Sequence, residues 1–582
     1  MLITKVPPFF FLVLFFLQAH LLFAQNPAEM PLRQVISEAQ ELIANSDFAQ
    51  ASPYLDELEI RFEDEKDPKI ERMLQEFGFV RGVGYLQSYA ESGNQEFLGK
   101  AASAFGAFAE KFPSDPRSVL AMQKRTDCLR ALQEWMESAK VIETLLKEPF
   151  RSKIVKRSEL LDLFFGRAQC YHILQDWNKG ESAFRELLDF ADEAKDEDRS
   201  AYAVSCLTEM FVQTKRIDEV FPLLPRLSGD TPARYDLRLN VNLMQGAGLL
   251  KDAGRNIEAS LLYALTMTAE EIDVYYSERE KRLTAERKRL TDFLNRFGSG
   301  LPTRRLEILR DENNKIALKL TSAKSQLAMV RSTPSYTTTL RWRKSDNFQA
   351  TKRNWESFWG FYWLYKDFPE HENVENFIYA AFASANTVKF RDKSILLGEE
   401  YLANKDWKDF RPDVTFIMSN AYREEALKQQ ALATSLQTAM TTIDKERAVK
   451  AKETADEYYD RFFNLCDDFL GIMPDHKYST DFINMMGSVY FKRRKFEDML
   501  VKFVGFENGV MDPKKGYVNN KEFLNSPAMS STLYMSGLGF LASGKFEEAK
   551  PLLAPIVGVH VEGLPLSDGA LVTSENSGEG VE

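Results

Sequence analysis

"YMSGLGFLASGKFEEAKPLLAPI", Tyr534–Ile556, places a small residue, Gly537, three before Phe540; a short Gly-containing turn follows, and then Phe546, Ala549, Leu553 and Ile556. Side chains three and four apart share a helix face, so the stretch reads as two helices joined by a tight turn. The small residue lies where the helices cross, and the large ones fill the groove beside it.

The same frame recurs upstream. Ala39, Leu42, Phe48, Ala51, Leu55 and Leu58 fit it, as do Ala168, Tyr171, Trp177, Gly180, Phe184 and Leu187. Thr208, Phe211, Ile217, Val220, Leu224 and Leu227 make another copy, and Gly487, Tyr490, Phe496, Met499, Phe503 and Phe506 a further one. Looser copies hold Ala101, Phe105 and Phe108; Ser138, Ile142 and Leu145; Ala247, Leu250, Ala259 and Tyr263; Ala381, Phe390 and Leu397; and Ala455, Tyr459 and Phe462. Crossing positions recur at about 36 to 50 residues, a period that marks a repeat array. One helix pair has too little apolar surface to be stable alone, and stacking buries a continuous core.

This small–aromatic alternation resembles the tetratricopeptide repeat (TPR) family, and "EKFPSDP" (Pro113) and "KDFPEHE" (Pro369) echo its terminal proline. The two endings are similar to those of bacterial periplasmic repeat proteins of the Tol-Pal coordinator and outer-membrane assembly lipoprotein type. The resemblance covers most of residues 30 to 560, but Gly180, Val220, Lys393 and Met499 stand where the family usually has alanine. It implies an all-α fold, a TPR-like helical-hairpin solenoid whose first helices line a concave groove, and a protein-binding role.

Composition fits. Among 582 residues, 29 glycines and 22 prolines are few and 28% of residues are charged, which suits long helices. The net charge of −11 argues against nucleic acid as a partner. At the start, Lys5, the apolar run from Phe9 to Phe23 and the small residue Ala24 read as a signal peptide over residues 1–24. The run rises about 22 Å as a helix, short of a hydrocarbon core of roughly 30 Å. Cleavage near Ala24 is therefore expected, leaving no integral membrane span. No asparagine sits in an Asn-x-Ser/Thr acceptor, which favours the bacterial periplasm or secretion from a bacterium over a glycosylating route.

Two stretches interrupt the repeats. Ile272, Tyr276, Leu283, Leu290, Phe293 and Phe297, then "FGSGLP", then Leu306, Leu309, Ile316, Leu320, Ala323, Leu327 and Val330 describe an inserted antiparallel coiled-coil hairpin over 268–333, with Asn313 as a register-setting polar residue. It separates a repeat array over 25–267 from another over 334–560. Tyr422 to Lys452 reads as one extended helix, and residues 561–582 as a disordered tail.

"NWESFWGFYWLYKDFP", Asn354–Pro369, sets Trp355, Trp359 and Trp363 four apart. In the repeat frame Ser357, Phe361 and Leu364 claim the opposite face, so the indoles lie on the side a solenoid gives to water. Such a stripe calls for a cover, either another part of this chain or a partner protein or glycan. These three tryptophans are the candidate partner-binding residues.

Catalytic chemistry finds little support. "GNQEFLGKA", Gly93 to Ala101, has one residue too many for a phosphate loop and alanine where Ser or Thr would hold magnesium. His172, His371, His476 and His560 form no HExxH and pair with no cysteine in sequence, and Cys128, Cys170, Cys206 and Cys466 show no metal spacing. The cysteines read as small buried hydrophobes. Asp467 and Asp468, like Glu399 and Glu400, are adjacent and do not share a helix face. No catalytic residue, cofactor or metal is expected. The sequence points to a non-enzymatic scaffold of the cell envelope that docks peptides or helices in its groove, the hairpin arm giving a second contact; the other reading is a carbohydrate- or peptidoglycan-binding protein using the aromatic stripe.

Overall fold

The computed structural model describes residues 26–45, 47–62, 67–437, 441–512 and 514–558. The signal segment and the tail from Val561 lie outside the described residues. The chain divides into two compact units, ending and beginning at Thr337 and Thr338. Both are arrays of helical hairpins, in which helices consecutive in the chain pack against one another in pairs.

In the first unit the helices are α1 (Leu32–Ala44), α2 (Phe48–Arg61), α3 (Pro68–Ser92), α4 (Glu96–Lys111), α5 (Ser118–Ala131), α6 (Trp135–Leu145), α7 (Arg157–Ile173), α8 (Trp177–Ala194) and α9 (Glu197–Gln213). A 3₁₀ segment, Ile217–Leu227, then precedes α10 (Leu237–Asp252), α11 (Asn256–Leu265), α12 (Ala269–Phe297) and α13 (Thr303–Arg331). The next helix, α14 (Tyr336–Ala350), starts at the division and lies almost wholly in the second unit. The second unit continues with α15 (Asn354–Asp367), α16 (Val374–Thr387), α17 (Arg391–Ala403), α18 (Arg411–Leu436), α19 (Thr442–Ile472), α20 (Ser479–Arg493), α21 (Phe496–Val504), α22 (Met529–Ala542) and α23 (Phe546–Leu553).

The repeat is written into the backbone of its turns. Gln133, Gln175, Lys215 and Gly254 in the first unit, and Lys352, Lys389, Arg494 and Gly544 in the second, all have positive φ, between 54° and 76°. Each lies two residues before the second element of a pair begins. One left-handed residue reverses the chain tightly enough to lay the second helix on the first. Six of these positions carry side chains and adopt the conformation against its usual cost. The small crossing residues are buried as the frame requires: Ala39, Ala51, Ala168, Gly180, Ala247, Ala381 and Gly537 all lie inside. In the second unit one continuous core runs from Phe358 to Leu552.

Where the repeats depart from alanine, packing explains the exchange. A Cβ on Gly180 would stand 2.5 Å from the Met210 terminal methyl, and one on Gly539 would stand 2.3 Å from that of Met499. Gly398 faces Met418, and Gly487 faces Met535, in the same way. A flexible methionine fills the room that glycine vacates.

A second recurring device is polar. Tyrosine hydroxyls donate to carboxylates on nearby helices: Tyr85 to Asp56 at 2.6 Å, Tyr365 to Glu400 at 2.6 Å, Tyr422 to Glu399 at 2.8 Å and Tyr478 to Asp413 at 2.6 Å. Tyr171 with Glu143, Tyr401 with Glu375 and Tyr517 with Asp467 do the same. The adjacent pair Glu399 and Glu400 thus serves two different tyrosines, as two faces of one helix require.

Several elements differ from the sequence reading. Pro222 and Pro225 lie inside the segment expected to be the second helix after α9; their missing N–H groups leave 3₁₀ turns, and Leu223 rather than Leu224 reaches the core. The stretch read as one helix from Tyr422 to Lys452 is divided between α18 and α19, which pack on each other. After α21 the chain forms a two-stranded antiparallel ribbon, β1 (Phe506–Glu507) and β2 (Val510–Met511), with Phe506 opposite Met511.

The interruption after α11 is a pair of 29-residue helices, α12 and α13, opened by a capping box in which Thr268 and Glu271 bond each other's backbone N–H. Asp273 pairs with Arg331, Glu280 with Lys324, and Thr291 donates to Asn313 at 3.3 Å. Partners step by equal counts in opposite directions, so the arms are antiparallel, and Asn313 bonds across the seam. Leu309, Ile316, Leu320, Ala323, Leu327 and Val330 are buried on one arm; Ile272, Tyr276 and Leu283 are buried on the other. Phe293 and Phe297, expected on the seam, are exposed instead, while Leu290 and Leu294 are half-buried, because the stripe drifts round the helix toward the turn.

The base of this pair is bolted to the repeats. Arg279, buried, donates to Asp198 at 2.5 Å. Burial pushes the Asp198 carboxyl above its usual range against the attraction of Arg279. Asp236 caps α10 by accepting from the Leu239 N–H at 2.8 Å, and it also accepts from the Ser205 hydroxyl and the Gln326 amide, each at 2.8 Å.

Candidate partner-binding site

Helix α15 starts after the left-handed Lys352 and Arg353, whose guanidinium bonds Glu356 at 3.0 Å. Its inward face carries Ser357, Phe358, Phe361, Leu364 and Tyr365, all buried. Gly360 lets α14 approach: a Cβ there would meet the Ser345 hydroxyl at 2.1 Å. With that face fixed, the helical period turns Trp355, Trp359 and Trp363 away from it.

The indoles are exposed by 50%, 39% and 52% respectively. Within their own unit neighbouring aromatic rings cover them in part and leave about half of each indole open. Phe390, at the following turn, lies 5.6 Å from Trp355 between ring centroids, and Phe358 lies 4.8 Å from Trp359. Trp359 and Trp363 are near parallel, 6.4 Å apart at 23°, and Tyr362 meets Trp363 edge-on at 5.4 Å. Lys393 stands over Tyr362 with its ammonium 5.5 Å from the ring. The arrangement is an open aromatic row on a rigid helix, able to accept apolar side chains or a flat ligand face.

One cluster of titratable groups in the first unit is absorbed into packing. His172 Nε2 lies 3.1 Å from the Glu209 carboxylate, and the ligand atoms of His172, Cys206 and Glu209 lie within 4.8 Å of one another. Sequence reading missed this pairing of His172 with a cysteine, because the two lie on different repeats that stack. Arg238 already brings a positive charge to the cluster, donating to Cys206 Sγ at 3.7 Å with Glu209 at 3.9 Å. Burial pushes the Cys206 thiol up to about 12, and the His172 bond holds Glu209 below its ordinary range. These are the marks of a closed ion network with a protonated thiol. All four cysteines are buried and unbridged. Gly93, in the loop that superficially suits a phosphate, is the left-handed stop of α3.

No family model matches the chain, and no curated protein does. Among solved structures it is similar to the apo form of RapI, at 11% identity over 52% of this chain and 100% of that one, with a TM-score of 0.21. A tetratricopeptide repeat protein from Parabacteroides merdae matches at 13% identity over 52% and 98%, with a TM-score of 0.19. The APC/C hetero-tetramer Cut9-Hcn1 matches at 11% identity over 90% and 98%, with a TM-score of 0.20. At such identities and scores these likenesses carry no argument, and the repeat architecture rests on the turns and cores described above.

Proposed function

We propose that the chain is a non-catalytic protein-binding scaffold that docks an apolar peptide or helix from a partner on Trp355, Trp359 and Trp363. The observation that carries this reading is the exposure of three indoles in a row on a helix whose opposite face is fully committed to the core. Large rigid aromatics give much contact area for little lost rotamer entropy, so they serve well as anchors. His172, His371, His476 and the buried cysteines sit in packing contacts, which supports a scaffold over an enzyme.

The signal-like leader and the repeat endings at Pro113 and Pro369 favour service in the periplasm or in secreted form, with cell-envelope proteins of the kind the Tol-Pal and outer-membrane assembly repeat proteins serve. In this reading α12 and α13 act as a coiled-coil arm beside the arrays. A second reading, a glycan or peptidoglycan platform, draws on the near-parallel faces of Trp359 and Trp363.

A photo-cross-linker introduced beside the row tests both. Partner proteins captured from envelope extracts and lost with Trp359→Ala support protein docking. Retention on peptidoglycan that is lost with Trp359→Ala, with no protein captured, replaces it by the glycan reading.

A further inference from the structure

The free end of the α12–α13 pair does something its seam does not require. Past Arg279 and Lys319, which reach Asp198, the hydrogen bonds and ion pairs of the arms among the described residues join only the arms themselves. From Arg279 to Phe297 the helix rises about 27 Å. At that end Phe293 and Phe297 are exposed by 40% and 57%, with their rings paired at 5.3 Å, and Ile308 on the returning arm is exposed with them.

Charge at the tip runs against the rest of the molecule. Taken to equal depth on both arms, from Arg287 to Ala317, the tip holds eight cations against four carboxylates, Asp292, Glu307, Asp311 and Glu312, in a chain of net charge −11. Between Asp292 and Glu307 there are Arg296, Arg304 and Arg305 and no acid at all. Lys315 pairs with Asp311, whereas Arg287, Lys288, Arg289, Arg296, Arg304 and Arg305 are all exposed, and among the described residues none of these six has a carboxylate within ion-pair distance. A solvated helix in water gains from interspersed opposite charges, as the arms have nearer their base; unpaired arginines around exposed phenylalanines do not serve the seam.

We infer that the tip of this helix pair binds an anionic phospholipid surface. The arginines meet the headgroup phosphates, and Phe293 and Phe297 enter the boundary between headgroups and acyl chains. Complementarity of sign selects the surface, and the two rings give the apolar contact that charge alone lacks. The base, fixed at Asp198 and Asp236, joins the arms to the repeats of the first unit.

Co-sedimentation of the purified chain with vesicles of phosphatidylglycerol and phosphatidylcholine, against vesicles of phosphatidylcholine alone, tests this at low and high salt. At least tenfold tighter binding to the anionic vesicles is expected, weakened severalfold by high salt as exposed charges are screened. Arg304→Glu with Arg305→Glu, and separately Phe293→Ser with Phe297→Ser, should each lose tenfold or more; both pairs are exposed, and unchanged melting temperatures will confirm that the fold is intact. Trp359→Ala should bind as before. Equal binding to both vesicle types, no binding, retention by the Glu variants, or loss in the Trp359 variant overturns the inference, the last by assigning the contact to the tryptophan row.

Discussion

Tyr365 on α15 donates its hydroxyl to Glu400 on α17 at 2.6 Å, and Glu400 also accepts from Lys366 at 3.1 Å. One carboxylate thereby ties the second helix of a repeat to the second helix of the next. Tyr365→Phe keeps the packed ring and removes the bond, so it should cost about 1–2 kcal/mol, read as a lower urea midpoint for the transition of the second unit.

The tyrosines and thiols also set the alkaline limit of stability. Tyr478 is pushed up to about 12, first by its bond to Asp413 and then by burial, from an ordinary 10.0. Burial pushes the thiols of Cys128 and Cys206 up to about 11 and about 12 from 9.0. Above the unfolded values the unfolded chain has lost protons that the folded one keeps, so stability is full below about pH 9 and falls as pH rises toward 12. Melting temperatures from pH 8 to 11.5 should show this decline, and Tyr478→Phe should make it shallower between pH 10 and 12.

The left-handed turns predict changes of opposite sign. Lys389→Gly relieves a side chain from a conformation disfavoured by roughly 1–2 kcal/mol, partly offset by the freer unfolded chain, and should stabilise the second unit by about 0.5–1 kcal/mol. Gly544→Ala, at the equivalent place, should destabilise it by about 1 kcal/mol. Equilibrium denaturation of the two variants checks both.

Gly539→Ala forces the Met499 methyl away from a Cβ that would stand 2.3 Å from it. Overpacking of this kind costs about 1–3 kcal/mol. Adding Met499→Ala should make the second substitution cheaper than it is alone, so a double-mutant cycle should give a non-zero coupling.

The tryptophan row should emit at long wavelength and quench readily with acrylamide, as half-exposed indoles do. Trp355→Phe, Trp359→Phe and Trp363→Phe, compared one at a time, should each remove a readily quenched component.

The helix pairs were legible because the spacing of Gly537, Phe540, Ala549 and Leu553 encodes a face and a partner at once. The 3₁₀ segment at Ile217–Leu227 was misread as a second helix, because the apolar pattern outweighed Pro222 and Pro225, which forbid the helical bonds. The turn conformation was hidden: glycine announces it at Gly254 and Gly544, but Gln133, Lys215 and Arg494 adopt it unannounced. The neighbourhood of His172, Cys206 and Glu209 arises only when repeats stack, and no local spacing records it. For the aromatic row, the face assignment of Trp355, Trp359 and Trp363 followed from Phe361 and Leu364, whereas their exposure depends on what the rest of the unit leaves uncovered.

Repeat proteins are commonly treated as interchangeable parts, yet the Asp236 carboxylate makes one exception here. It is buried, it starts α10, and one of its partners, Gln326, belongs to α13, far along the chain. Cutting out the α12–α13 excursion to leave a plain array would strand an acid inside the protein one bond short, and a helix start would be weakened with it. The excursion is therefore not an ornament that evolution or an engineer can lift out in one step; a change at Asp236 has to come first.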